Sequence, residues 1–280
     1  MRDPDCILVR VGEQALKSEQ VQKKWMAILL DNIRTELQMK KIKFSFEVNP
    51  NRVFIYSKER GKVKSVLKRV FGVTSYSECW KCHSGLDEIK LLSVDLAEHI
   101  KLTNKQSFAI RARRAGWHKF SSQTVAEEAG AAVKRVTNAK VNLRKPKKEI
   151  FIEVRSRNTY IFTKKINGLG GLPLGTGGDV GIKLRNNKDV LAAWLIMRRG
   201  CTLIADDKKP ELLKKIRKWH VGKKIIIVKK LEDFEIKAMI VAGKISEKQK
   251  SSYCTKKTLI LRPLDGLDTE EKSDLTRLIG

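Results

Sequence analysis

The sequence predicts an α+β N-terminal half followed by a small α/β domain whose sheet is mainly parallel. Three observations carry that prediction. The first segment alternates strand-like and helix-like patterns in the order βαββαβ. The second sets period-two strands beside two helices, and the third alternates short apolar runs with helices.

In the first segment, "CILVRV" reads as a strand, and "SEQVQKKWMAILLDNIRTELQMK" carries apolar residues at helical spacing, with Ser18 as its N-cap. "KIKFSFEVNPNRVFIYS" reads as two strands around the turn Asn49-Pro50-Asn51. "KVKSVLKRVF" is a basic helix, and "GVTSYSEC" closes the unit as a strand. This order is that of a ferredoxin-like domain. A second segment begins near Cys82. "LDEIKLLSVDLAEHI" is an amphipathic helix, "QSFAIRARRAG" a strand entering a basic turn, and "SSQTVAEEAGAAVKRVT" a helix capped by Ser122. "KVNLRKPKKEIFIEVRSRNTYIFTKKI" comes next as strands of a sheet with one solvated face. After the stretch "GLGGLPLGTGG" come "VGIKL", the helix "VLAAWLIMRRG", "CTLIAD", the helix "KPELLKKIRKW", the strand "KKIIIVK", a helix or strand at "EIKAMIVAG", and "TLILRPLDG".

The charge is the outlier of the composition. Of 280 residues, 59 are Lys or Arg and 31 Asp or Glu, a net charge of +28, while the 41% apolar content is that of an ordinary globular chain. Such an excess attracts polyanions, nucleic acid first. A merely solubilising surface would carry balanced signs. The chain shows no amphipathic basic helix, lipid anchor, membrane-length apolar run or signal-peptide core, so no membrane partner and a cytoplasmic location are expected. Five cysteines without an export signal imply no structural disulfides. "CWKCH", Cys79 to His83, has the spacing of a c-type haem attachment or half a zinc site. Haem attachment requires export and zinc wants a second ligand pair, so Cys79 and Cys82 read as linker thiols. His83, His99, His118 and His220 are scattered, and no metal is expected.

The strongest binding signal is "SFAIRARRAGWHKFSSQTV". Arg111 and Arg113 alternate on one strand face, with Arg114, His118 and Lys119 in the turn beyond it. Guanidinium groups pair with phosphate at two points, and Ser121 and Ser122 at a helix N-terminus add donors. Lys134, Arg144 and Lys147 are further predicted RNA-binding residues.

That stretch resembles the core of a THUMP domain, an RNA-binding module of tRNA-modifying enzymes. "ILVRVGEQALKS", "INGLGGLPLGT", "VLAAWLIMRRG" and "LILRPLDGLDTEEKSDLTRLIG" resemble, in order, landmarks of the tRNA 4-thiouridine synthetase family, sulfurtransferases also linked to thiamine biosynthesis. The resemblance implies a ferredoxin-like domain at 1–78, a THUMP domain at 79–170 and a PP-loop-like α/β domain at 175–280. It implies that the first two grip tRNA at the acceptor end while the third adenylates a uridine with ATP so that sulfur replaces oxygen. Arg113, Arg114, Phe120 and Ser122 match the family's THUMP pattern.

The departures concern the third domain. A PP-loop reads SGGxDS, its glycines letting backbone N–H groups approach a phosphate. Here stand Arg185-Asn186-Asn187-Lys188-Asp189-Val190, in which only Asp189 survives. The family's sulfur-handling cysteine lies beyond its equivalent of "RLIG", and neither Cys201 nor Cys254 occupies that place. The expectation is a tRNA-binding family member acting in or derived from thiolation without its own adenylation, a protein partner supplying the chemistry. No cofactor is expected, ATP being the alternative. The rivals are an active sulfurtransferase with an altered loop using Cys201 or Cys254, and a ribosomal RNA-binding or assembly factor.

Overall fold

The computed structural model describes residues 2–12, 18–49, 52–206, 208–231, 234–243 and 258–279. Strand β1 (Cys6–Val11), helix α1 (Glu19–Met39), strands β2 (Ser45–Asn49) and β3 (Arg52–Tyr56), helix α2 (Arg60–Leu67) and strand β4 (Val73–His83) give the expected βαββαβ order. The strands lie side by side as β2-β3-β1-β4. β1 is apolar apart from Arg10 and buried along its whole length, as a central strand must be.

Three local expectations are corrected here. Ser18 stands at the N-cap of α1, but its side chain caps nothing. α2 ends at Leu67, so "KRVF" leaves the helix, and Val70 and Phe71 are buried from a turn instead. β4 runs on through "CWKCH", where linker thiols were expected, because residues 80–83 continue an antiparallel ladder with residues 158–161. On a strand, residues three apart point to opposite faces, which separates the side chains of Cys79 and Cys82. The predicted turn residues Pro50 and Asn51 lie outside the described residues.

The sheet continues through helix α3 (Leu86–His99), strand β5 (Ser107–Ala115), helix α4 (Ser122–Thr137) and strands β6 (Lys140–Val141), β7 (Lys148–Arg155) and β8 (Asn158–Phe162). Its order there is β4-β8-β7-β5-β6, with β5 parallel to both β6 and β7, and the short β9 (Ile166–Asn167) pairs with β4. Leu92 and Leu96 of α3 and Val125, Ala129 and Val133 of α4 close a core over Phe108, Ile110, Ile150 and Ile152. The even-numbered residues near the middle of β5 and β7 therefore face the helices. Arg111 and Arg113 are left on the other face.

The last segment holds β10 (Asp179–Ile182), α5 (Asn187–Arg198), β11 (Thr202–Asp206), α6 (Pro210–Arg217), β12 (Ile226–Val228), β13 (Ala238–Ile240), β14 (Leu259–Leu261) and α7 (Thr269–Ile279). Among the described residues every pairing is parallel, in the order β12-β11-β10-β13-β14, and "EIKAMIVAG", left open as helix or strand, contributes strand β13. The chain builds outward from β10 to β12 and then returns to β13. The C-terminal end of β10 therefore faces the crevice where sheets of this kind take ligands. Asp268 Oδ1 accepts from the N–H of Glu271 at 2.8 Å, and the Glu271 carboxylate accepts from the N–H of Asp268 at 3.0 Å. This reciprocal pair opens α7.

Two compact units emerge: residues 1–9, 44–60 and 76–166, and residues 10–43, 61–75 and 167–280. Within the second, Asn32 of α1 donates to the Leu174 carbonyl at 2.9 Å and Lys223 pairs with Asp31 at 3.0 Å. The glycine-rich stretch belongs to the same unit and is consumed by backbone packing. Gly168 and Gly170 donate their N–H groups to the carbonyls of Thr74 and Val73. Gly171 has φ +72, and a Cβ there would lie 2.2 Å from the Arg198 carbonyl oxygen.

His220, 4% exposed, accepts the Leu203 N–H at Nε2, and its Nδ1 lies 3.1 Å from the Lys223 carbonyl. Burial pushes its pKa below the ordinary imidazole value of 6.5. Below that value the unfolded chain binds the proton more readily than the folded one. Stability is therefore complete above about pH 6.5 and declines as the pH falls toward the depressed value. Urea unfolding at about pH 7.5 and about pH 5.5 should show this decline, and His220→Gln should flatten it.

Candidate nucleic-acid interface

The in-register pairing of β5 with β7 sets Arg111 beside Phe151 and Arg113 beside Glu153. On β7's other side, Phe151 pairs with Phe162 and Glu153 with Tyr160. Two rows thus cross the sheet face away from the helices, Arg111-Phe151-Phe162 and Arg113-Glu153-Tyr160. Between them and the start of α4 lies a cavity of about 410 Å³, lined among others by Arg111, Arg113, Ser122, Gln123 and Lys165. Its floor is aromatic: Phe151 and Phe162 stack at 5.2 Å, and Lys165 Nζ sits 4.0 Å from the Phe151 ring centre. Glu153, 4% exposed, accepts from Arg52 at 3.1 Å and Arg155 at 3.3 Å, so its buried charge is matched. Phe162 is fully buried and Lys165 covers the Phe151 ring, so the cavity offers an RNA cationic walls suited to phosphates, not a free ring face.

The predicted residues fall into two groups. Arg113, Arg114, His118, Lys119, Phe120, Ser121 and Ser122 cluster where β5 ends and α4 begins, and Arg113, Arg114 and Lys119 are exposed there. The helix cap is Ser121, not Ser122. Its Oγ accepts the N–H of Thr124 at 3.0 Å because the helix starts one residue earlier than the sequence pattern implied. His118 stacks on Phe120 at 5.5 Å. Arg111 is already engaged, donating to Glu149 at 2.8 Å and to the Leu143 carbonyl at 2.7 Å. Arg144 and Lys147 sit at the opposite end of the strands, since Lys147 precedes β7 beside Ser107. Seven residues of strand, about 23 Å, separate Lys147 from the level of Arg114. Lys134, in the last turn of α4, is likewise remote from that helix's start.

The sequence pattern missed Phe151, Glu153, Phe162 and Lys165. The alternation in "IFIEV" put Phe151 and Glu153 on one face, but only the parallel register with β5 places that face beside Arg111 and Arg113.

The loop after β10 satisfies its own backbone. The Asn186 side chain accepts the N–H groups of Lys188 at 2.8 Å and Asp189 at 3.4 Å, while Asp189 Oδ2 accepts those of Arg185 at 2.9 Å and Asn186 at 3.1 Å. Four donors at the head of α5 are thereby taken by side chains of the loop. Asn187 accepts from Lys215 at 3.0 Å. Beside the loop lies a cleft of about 800 Å³, lined by Asn187, Lys188, Leu191, Asp265, Lys272 and Arg277 among others.

The thiols are poorly placed for nucleophilic work. Burial pushes Cys6 and Cys82 up to about 12, and burial and Asp179 raise Cys201, whose Sγ contacts the Gly177 carbonyl at 3.5 Å. Cys254 lies outside the described residues. Among the described residues, no helix is long and apolar enough to cross a membrane, and no three or more His, Cys, Asp or Glu side chains gather as a metal site.

A ferredoxin-like unit joined to a sheet with this basic strand-turn-helix face defines a THUMP-bearing protein. Residues 83–164 match the THUMP domain and residues 6–77 the ThiI ferredoxin-like domain. A Saccharolobus solfataricus protein named "Probable tRNA sulfurtransferase" is 32% identical over 327 residues, an alignment spanning 96% of this chain and 84% of that one. The Methanothermobacter thermautotrophicus protein of the same name is 35% identical over 208 residues, covering 72% of this chain and 52% of the relative. The chain belongs to the tRNA sulfurtransferase family. It spans about half the length of several relatives that it matches. In fold it is similar to PH1313 from Pyrococcus horikoshii (TM-score 0.84, 24% identity, 99% of both chains). It is also similar to a 4-thiouridine synthetase solved with RNA and bound ATP (TM-score 0.78, 22% identity, 99% of this chain and 85% of that one).

Proposed function

We propose that this protein binds the acceptor-end region of tRNA and serves tRNA thiolation without adenylating the RNA itself. The ferredoxin-like domain (1–78) and the THUMP domain (79–170) act as the grip, and residues 175–280 as an inactive PP-loop domain. The observation that carries the binding is the exposed group Arg113, Arg114 and Lys119 where β5 ends and α4 begins, with Arg113 also lining the cavity. Binding of this kind reads shape and phosphate and makes few base-edge contacts. Intact tRNA should bind more tightly than ribosomal RNA fragments in a filter assay. The reverse preference would favour an assembly factor.

The inactive-domain reading rests on the closed hydrogen-bond circuit of the loop. An incoming phosphate would have to displace Asn186 and Asp189 from four backbone donors, and each group left unpaired costs about 1 to 3 kcal/mol. Arg185 and Lys188 offer charge without a cradle, which favours any polyphosphate over adenine nucleotide. Calorimetry should show weak, salt-sensitive heats that are the same for Mg-ATP and inorganic triphosphate. Selective micromolar ATP binding with a labelled adenylated tRNA would restore the active sulfurtransferase. The missing chemistry comes, on this reading, from a protein partner.

A further inference from the structure

The turn between β5 and α4 holds one side chain that the RNA-binding set does not include. Trp117 is 80% exposed, more than any other large apolar residue among those described. Among the described residues it has no hydrogen-bond, ion-pair or ring partner. Single exposed apolar side chains are common on protein surfaces, and exposure alone would say little. The setting says more.

The turn is built to hold this residue outward. Gly116 takes φ +87, Arg114 donates to the Gly116 carbonyl at 3.2 Å, and His118 Nε2 sits 3.4 Å from the Ala115 carbonyl. His118 then turns onto Phe120, leaving Trp117 without an aromatic neighbour. Exposed Arg113 and Arg114 precede the indole in the chain and exposed Lys119 comes after it. A rigid indole between phosphate-binding cations is the arrangement by which proteins hold a single unstacked base. Bases inside a duplex have both faces covered, so the ring is open to a nucleotide that is unpaired.

We infer that Trp117 stacks on an unpaired nucleobase next to the phosphates held by Arg113, Arg114 and Lys119, making it a specificity-determining residue for RNA that carries an unpaired base beside a helix. The inference rests on the proposed RNA interface. It assigns to Trp117 a selectivity that the cations cannot supply, because phosphate contacts are indifferent to pairing.

The test uses the full chain and two RNA hairpins of equal stem, one blunt and one with a short single-stranded overhang. Wild type should bind the overhang form roughly tenfold more tightly. Trp117→Ala should abolish that preference and leave blunt-hairpin affinity and salt slope unchanged, whereas Trp117→Phe should keep most of it. The difference in emission between wild type and Trp117→Phe should be quenched by the overhang hairpin only. A preference that survives Trp117→Ala, an equal loss on both hairpins, or no change on either overturns the assignment. The last result would leave the indole to a protein partner. If wild type binds neither hairpin nor tRNA, the RNA interface falls, and the stacking assignment falls with it.

Discussion

Replacing Arg113, Arg114 and Lys119 together by alanine should lower tRNA affinity roughly a hundredfold at near-physiological salt and reduce the log-log salt slope by about 2 to 3. The size reflects counterion release, since each phosphate contact contributes close to one power of the salt concentration. All three side chains are exposed, so their removal leaves the core untouched. Arg111→Ala should change the slope less, because Glu149 already neutralises that guanidinium at 2.8 Å. Replacing Lys134, Arg144 and Lys147 asks a separate question, since they lie away from the cluster at the start of α4. Filter binding across a salt series measures all of these. An unchanged slope in the triple variant would remove this strand and turn from the interface.

The second large effect concerns folding. Gly171→Ala should destabilise the protein by about 3 kcal/mol or more, because two costs add. At φ +72 an alanine bears a left-handed backbone penalty of roughly 1 to 2 kcal/mol. Its Cβ would also meet the Arg198 carbonyl oxygen at 2.2 Å, and the neighbour is backbone that cannot rotate aside. Gly222→Ala should behave alike, with φ +74 and the Asn32 backbone 2.3 Å from the added atom. Gly178 supplies the control: its φ is +81, yet nothing lies within 4 Å of its Cβ position, so alanine there should cost only the backbone term. Urea unfolding ranks the three. If Gly171→Ala and Gly178→Ala unfold together, the close approach at Gly171 contributes nothing.

The fold was legible wherever periodicity and order decide it. The βαββαβ sequence of β1 to β4 and the alternating apolar runs of the last segment both fixed element type without tertiary information. What periodicity could not reach was how far a strand extends when a distant ladder recruits it. β4 takes in Trp80 to His83 because residues 158–161 pair with it, a partnership across about eighty residues of chain. The basic turn was legible because its charges stand in one short stretch. The cavity was not, because Arg113 and Glu153 become neighbours only through strand register. That residues 185–190 hold no glycine could be read directly, but not that the Asn186 and Asp189 side chains accept four of the loop's backbone N–H groups.

The interleaving of the two units has a consequence for the order of events on the ribosome. Asn32, Asp31 and the surface that Gly222 presses against are made early, while Leu174, Lys223 and Gly222 leave the exit tunnel more than a hundred residues later. At bacterial-like synthesis rates that interval is on the order of ten seconds, during which α1 waits without those partners. The native contacts of α1 with Leu174 and Lys223 are therefore completed only after the C-terminal segment has been translated.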